Sequence, residues 1–287
     1  PSSGGAHLVQ MLNILERWPL RDWGPNSAQT VHHMAEAMKL AYADRAEYLG
    51  DPAFVSVPLA GLTSKKYADT LAQQIRPDTA RSAQTIKPGQ PLPFESDQTT
   101  HYSVVDQAGN MVAVTYTLNT NFGSGIVAAG TGILLNNEMD DFSAKPGVPN
   151  AYGLVGGAAN AVAAGKRPLS SMTPTLVLKD QQPWLVTGSP GGARIITTVL
   201  QQIVNGIDFG MNPAEAAATV RFHHQWMPDE LRVEKGFSPD TLHLLRQKGQ
   251  NVVVKPAMGR TQTIQVQGQA LWGYSDPRNP DGLTLGY

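Results

Sequence analysis

The sequence predicts an α+β fold in which helices cover stacked antiparallel sheets. Three observations predict it. Apolar residues recur at helical spacing through the first quarter of the chain, the period switches to strand-like alternation just past residue 100, and runs of strands and helices then alternate to the end. With 287 residues, 41% of them hydrophobic, there is ample material for a large core in one or two domains.

The helices come first. In "GAHLVQMLNILERW" the apolar Leu8, Val9, Leu12 and Leu15 fall near one helical face. "NSAQTVHHMAEAMKLAYADRAEYLG" follows, with Asn26 or Ser27 as N-cap and Gly50 as the stop before Asp51-Pro52. "SKKYADTLAQQI" is a third helix, capped by Ser64. From Arg76 to Gln98 almost no apolar period remains and prolines recur, which predicts an exposed, flexible linker.

Strands follow. "HYSVVD" and "MVAVTYTL" flank Gln107 to Asn110, a short loop containing Gly109, and so predict a hairpin. "GILLNN" reads as a further short strand, and "TPTLVLKD" with "WLVTGSP" as a second hairpin turning between Asp180 and Pro183. "GGARIITTVLQQIVNGIDFG" is a helix that starts at a glycine pair and stops at Gly210. Asn212-Pro213 and Ser238-Pro239 open two more helices. "NVVVKP", "RTQTIQVQ" and "ALWGYSD" close the chain as strands.

Composition excludes several function classes. The net charge is -1 and only 16% of residues are charged, so nothing points to a nucleic-acid surface. No apolar run approaches the roughly 18 residues of a membrane span. The absence of cysteine rules out disulfides, thiol nucleophiles and thiolate metal sites. The opening Pro1-Ser2-Ser3-Gly4-Gly5 carries neither an initiator Met nor a signal peptide, which predicts a segment from within a longer protein.

Three constellations invite chemistry. His32-His33 and His223-His224 could be metal ligands, but adjacent residues do not face one point and no carboxylate stands at ligand spacing; they read as surface or packed histidines. Gly188-Ser189-Pro190-Gly191-Gly192 lacks nucleophile-elbow spacing, so Ser189 is rejected as a nucleophile. The N–H groups of Gly191 and Gly192 open a helix and could converge on an oxyanion, although from spacing alone an ordinary strand-to-helix turn is the better explanation of the pair. Thr99 would become a nucleophile if a chain break freed its own amine as a base; from spacing alone it is strand edge.

The motifs "QTTHYSVVD", "TYTLNT", "GILLNNEMDDFSAKPGVPNAYGLVGG", "KRPLSSMTPTLVLKD", "TGSPGGARIITTVLQ" and "FHHQWMPDELRVEKGFSPDTL" closely resemble bacterial γ-glutamyltranspeptidase, essentially from end to end. The resemblance implies a four-layer αββα sandwich of the N-terminal nucleophile (Ntn) hydrolase type. It makes residues 1–98 the C-terminal part of a large subunit and residues 99–287 the small subunit, together one domain. It implies self-cleavage between Gln98 and Thr99, with Thr99 afterwards the catalytic nucleophile and its amine the base. Thr117 would orient that hydroxyl. Asn119, Glu138 and Asp141 would hold the substrate's α-amino group, two carboxylates and an amide oxygen being suited to an ammonium. Ser170 and Ser171 would hold the α-carboxylate, Gly191 and Gly192 the oxyanion, and residues 146–157 would form a lid with Tyr152 as its gate.

By the same resemblance the substrates would be glutathione and other γ-glutamyl compounds, with amino acids or dipeptides as acceptors. No metal or organic cofactor is implied, and the location would be periplasmic or secreted. Two departures stand out. Position 138 is Glu where some bacterial members carry Gln. The family's arginine for the α-carboxylate lies in the upstream part of the large subunit, outside this chain, so the two serines alone would hold a carboxylate weakly. The expected rivals are a glutaryl (cephalosporin) acylase of the same fold and an inert, unprocessed fragment.

Overall fold

The first three predicted helices form as α1 (Gly4–Leu15), α3 (Ala28–Tyr48) and α5 (Lys65–Ala72), and two single turns that the spacing did not predict, α2 (Leu20–Trp23) and α4 (Leu59–Leu62), lie between them. The computed structural model describes residues 2–89, 101–120, 122–150 and 153–286. Ser27 settles the α3 cap, its hydroxyl accepting the Thr30 N–H at 3.1 Å, and Ser64 accepts the Tyr67 N–H of α5 at 3.1 Å. α3 is buried on nearly every side although it carries Glu36, Lys39, Asp44 and Arg45. A helix without a polar face belongs inside a protein, so its charges must find partners there. Lys39 lies 2.7 Å from Glu36, and Asp44 accepts from Gln10, from the Tyr67 hydroxyl and from the Gly89 N–H at 2.6–2.8 Å.

The segment expected to be exposed linker is, over its described residues 76–89, a strap fastened to the body. Ala83 and Ile86 are buried. The Ala83 N–H donates to Asp229 at 2.8 Å, the Trp226 indole N–H donates to the Ala83 carbonyl at 2.8 Å, and Ala80 N–H donates to the Lys248 carbonyl at 2.6 Å. Polar contacts hold the strap with only two apolar plugs, so no apolar period marks it. The rest of the expected linker, through Gln98, lies outside the described residues.

The remaining elements run in order β1 (Tyr102–Val105), β2 (Met111–Val114), β3 (Thr175–Lys179), β4 (Gln182–Thr187), α6 (Ile195–Ile207), α7 (Pro213–Ala218), β5 (Phe222–His223), β6 (Leu231–Val233), α8 (Pro239–Gln247), β7 (Val252–Val254), β8 (Gln262–Gln267) and β9 (Ala270–Ser275). Both predicted hairpins form, β1 with β2 and β3 with β4. The second turns on Asp180 and Gln181 at φ 51° and 64°, the doubly positive geometry that matches strand twist. The sheets are the β1–β2 hairpin, an antiparallel β3-β4-β8-β9 sheet, and a small β5-β6-β7 sheet whose last pair is parallel. Asn212 and Glu215 form a reciprocal capping box on α7, whereas Ser238 occupies the α8 N-cap without a side-chain hydrogen bond.

The strand expected at Gly132–Asn137 does not form. Only an isolated Val127–Leu134 bridge is present, and Ile126 and Ile133 stand exposed. The segment's backbone pairs with residues 124–128, the Ala128 N–H donating to the Ile133 carbonyl and the Leu135 N–H to the Ile126 carbonyl, each at 2.8 Å, and among the described residues no sheet extends that short, exposed pairing.

One continuous core joins α1, α3 and α6 to Leu185 of β4, Phe222 of β5, and Leu231 and Val233 of β6. α6 packs on the larger sheet through Gly206 and Trp184, and the β1–β2 hairpin packs against β4 and β8, where the Ser103 hydroxyl donates to the Gln262 carbonyl at 2.9 Å. Among the described residues no helix is long and apolar enough to cross a membrane.

His101 locks the hairpin to the end of β4. Its ring nitrogens lie 3.0 Å from the Thr115 hydroxyl and 2.8 Å from that of Ser103, and a Cβ on Gly188 would run into the imidazole. Gly188→Ala should therefore destabilise the protein by roughly 2 kcal/mol or more, as overpacking of a tight contact does. Pairing it with His101→Ala should recover part of the loss in thermal melts; additive losses would show that the contact is not the cause.

Candidate active site

Seven of the residues expected to act together do meet. Thr117, Asn119, Asp141, Ser170, Ser171, Gly191 and Gly192 line one cavity of about 720 Å³, within the size range of small-molecule sites. Glu138 begins the 3-10 turn that Asp141 ends, so it stands beside this cavity rather than on its lining. Gln98, Thr99 and Tyr152 lie outside the described residues.

α3 is the platform that brings these segments together. The Tyr42 hydroxyl donates to the carbonyl of Ala193, just past the glycine pair. One turn on, Arg45 donates from Nε to the Ser3 hydroxyl and from Nη2 to the Ser171 hydroxyl, each at 3.0 Å. The Ala46 carbonyl then accepts the Gly157 N–H at 2.7 Å, anchoring the end of the 146–157 loop whose Leu154 reaches the cavity. Ser3, at the head of α1, also ties to the Ser170 carbonyl through both its N–H, at 2.8 Å, and its hydroxyl, at 2.7 Å. Three stretches distant in sequence are thus fixed by residues spaced along one buried helix face.

The acidic side of the cavity is short of hydrogen-bond donors at Glu138. Both Glu138 carboxylate oxygens are buried and have no hydrogen-bond partner among the described residues. Burial, reinforced by the nearby Asp141, pushes the Glu138 carboxyl up to about 7. Burial likewise raises Asp141 to about 6, while the Arg45 charge opposes that rise. Two desolvated carboxylates on one short turn are a receptor for a cation.

Two backbone features complete the site. Gly191 and Gly192 have φ 144° and 58°, in the left-handed region that disfavours a side chain, and their N–H groups find no acceptor among the described residues. A turn entering a helix with two free amides can hold a developing oxyanion. Asn119 also sits at positive φ, 73°, a conformation Asn tolerates better than most residues, and its N–H donates to the Thr117 hydroxyl at 2.8 Å. Its side-chain amide donates to the Asn137 carbonyl at 3.1 Å, one residue from Glu138.

The residues set aside behave as packing groups. His32 and His33 are buried on α3, and His223 and His224 are buried beside it. Burial lowers the proton affinity of all four. The Ser189 hydroxyl donates to the Pro190 carbonyl at 2.7 Å and accepts the Arg260 N–H at 2.8 Å, a loop-bracing role. Sequence reasoning missed Arg45 and Tyr42. The only available signal was a helix carrying charges with no polar face to put them on.

A sequence model of the family described as gamma-glutamyltranspeptidase matches residues 1–285. A glutathione hydrolase proenzyme of Escherichia coli (strain K12) is 66% identical over 288 aligned residues, which cover 100% of this chain and 50% of that protein. The chain spans about half the length of the relatives it matches. A mutant gamma-glutamyltranspeptidase of Helicobacter pylori is similar at 56% identity and a TM-score of 0.62, covering 63% of this chain and 100% of that chain. A cephalosporin acylase of Bacillus halodurans superposes with a TM-score of 0.82 at 30% identity, over 96% of this chain and 48% of that one. These neighbours have the Ntn-hydrolase fold, and the mixed helices and sheets described above share it.

The raised Glu138 carboxyl has a stability consequence with a definite sign. Its folded value, about 7, lies above its ordinary 4.5, so the folded state loses stability as pH rises between the two. Glu138→Gln should raise the melting temperature of the ligand-free protein more at pH 8 than at pH 5, by the equivalent of about 1 kcal/mol after allowing for partial exposure. Equal shifts at both pH values would refute the desolvation argument.

Proposed function

The chain belongs to the gamma-glutamyltranspeptidase family, and from that membership we propose that it is the end of the large subunit, through Gln98, followed by the small subunit of a γ-glutamyl acyltransferase and hydrolase. Glutathione and other γ-glutamyl amides are the donors; water, amino acids and dipeptides are the acceptors. Family membership also supports a periplasmic or secreted location.

The observation that carries the reading is the charge layout of the cavity. Asp141, with Glu138 beside it, offers an ammonium two carboxylates, and Ser170 and Ser171 offer a carboxylate two hydroxyls, one of them backed by Arg45. Ammonium and carboxylate on one carbon are the head group of an amino acid. Hydrogen bonds involving a charge contribute about 1.5–3 kcal/mol each, enough to orient that head group. The side-chain γ-carbonyl would then extend toward the amides of Gly191 and Gly192. His101, two residues past Thr99, packs against Gly188, three residues before that pair.

In the proposed mechanism the Thr99 hydroxyl first attacks the Gln98 carbonyl carbon. The peptide C–N bond breaks, an ester forms, and water hydrolyses it to leave Thr99 with a free amine. That amine next takes the hydroxyl proton as Thr99 attacks the γ-carbonyl of the donor. The Gly191 and Gly192 N–H groups stabilise the tetrahedral oxyanion, a contribution of several kcal/mol in such sites. The leaving amine takes the proton and departs, giving a γ-glutamyl ester of Thr99. Water or an acceptor amine then repeats the attack and restores the enzyme. Thr117, already aligned by the Asn119 N–H, supports the nucleophile, and the 146–157 loop limits entry of water.

A glutaryl acylase is the competing chemistry on this fold. A glutaryl group has no ammonium, so it would leave Glu138 and Asp141 desolvated without compensation. Comparing γ-glutamyl and glutaryl 4-nitroanilides should show a preference for the γ-glutamyl substrate of a hundredfold or more, the loss expected when a buried charged site goes unfilled. Equal turnover would favour the acylase. Thr99→Ala should abolish both cleavage and turnover, so the intact mass would stay that of one uncut chain; normal processing in this variant would refute the assignment.

A further inference from the structure

Three arginines on the cavity's other flank have no role in the reading above. Arg194 and Arg260 line the cavity, and Arg232 lies beneath the loop at residues 256–260, its Nη2 donating to the Pro256 carbonyl at 2.7 Å. The loop is docked on the glycine turn. The Arg260 N–H donates to the Ser189 hydroxyl at 2.8 Å, and a Cβ on Gly191 would lie 3.8 Å from the Gly259 Cα. The cluster is therefore held next to the two free amides.

Among the described residues its charge is unbalanced. The acids that act on Arg232 are Glu230 and Glu234, and these are already taken up by Lys255 and Arg278. The Arg232 Nε is buried and has no acceptor among the described residues. Arg194 repels Arg232 and, with burial, favours loss of its proton. Cations held together without a counter-ion are a binding site for an anion. The arginine charge that acts on Asp141 is that of Arg45.

We propose that Arg194, Arg232 and Arg260 form an anion subsite on the leaving-group side of the glycine pair, which takes the free carboxylate of the amino acid or peptide that departs from, or accepts, the acyl group. The inference rests on the proposed γ-glutamyl transfer and names which donors and acceptors it favours. The acyl part carries its own carboxylate to Ser170 and Ser171, so a carboxylate reaching the cluster must belong to the amine component. A guanidinium is suited to that contact, since it meets a carboxylate through two parallel N–H groups. Peptides with a free C-terminus would be preferred over amines that lack one.

Two anilides differing by one carboxylate test this: γ-glutamyl-4-nitroanilide and γ-glutamyl-3-carboxy-4-nitroanilide, assayed with the full-length processed protein. The ratio of their kcat/KM values should favour the carboxylated substrate in the parent. It should fall about threefold in Arg260→Gln, which is exposed, and about tenfold in Arg194→Gln, with partial recovery in Arg260→Lys. An unchanged ratio overturns the subsite, even if both substrates slow together; a carboxylate elsewhere in the full-length protein that fills the cluster would give that result. Should the parent turn over neither anilide, the γ-glutamyl reading itself fails. The subsite is then read by titrating glycylglycine against its amide, and variants that bind both as the parent does would overturn it.

Discussion

A buried guanidinium with no carboxylate at contact distance among the described residues constrains much of this molecule. Moving an ion out of water costs several kcal/mol even after the surroundings relax. Arg45 recovers part of that through the Ser3 and Ser171 hydroxyls and part through attraction to Asp141. Each of those partners is consequently fixed. Ser3 holds the head of α1 against Ser170, Ser171 presents its oxygen at the cavity, and Asp141 is drawn back toward ionisation against the effect of its own burial. A neutral residue at position 45 would leave two hydroxyls and a carboxylate without a common partner.

The same helix explains why the cavity has such different walls within a short span. Tyr42 fixes the segment after the glycine pair, Arg45 the serines, and Ala46 the end of the 146–157 loop. These positions recur on one side of a helix, so a rigid rod sets the spacing between an amide pair, a hydroxyl pair and a loop. Asn119, Gly191 and Gly192 all hold positive φ at the cavity, where the backbone must present a donor rather than continue a regular element.

Function and stability pull in opposite directions at the acidic turn. Glu138 and Asp141 are held where water cannot fully solvate them, which raises the proton affinity of both. The ligand-free protein bears that cost. A cation entering the turn would relieve it, so the destabilisation of the empty site becomes a gradient favouring the charged ligand. The Arg194–Arg232 pair repeats the arrangement with the opposite sign.

Much of this was legible in the amino-acid order. Helix and strand periods, the Ser27 and Ser64 caps and both hairpins follow from local physics, since spacing, capping oxygens and turn residues act within a few positions of one another. The residues from Thr117 to Gly192 were legible as a set only through the motifs that resemble the family's. What only the tertiary structure decided was non-local. Gly132–Asn137 paired with residues 124–128 and joined no described sheet, and residues 76–89 became a strap through contacts with Asp229, Trp226 and Lys248. Arg45 became a site residue because folding brought Ser171, 126 positions away, to its guanidinium. Burial, and with it the energy of a charge, belongs to the assembled neighbourhood and not to any residue in the order of the chain.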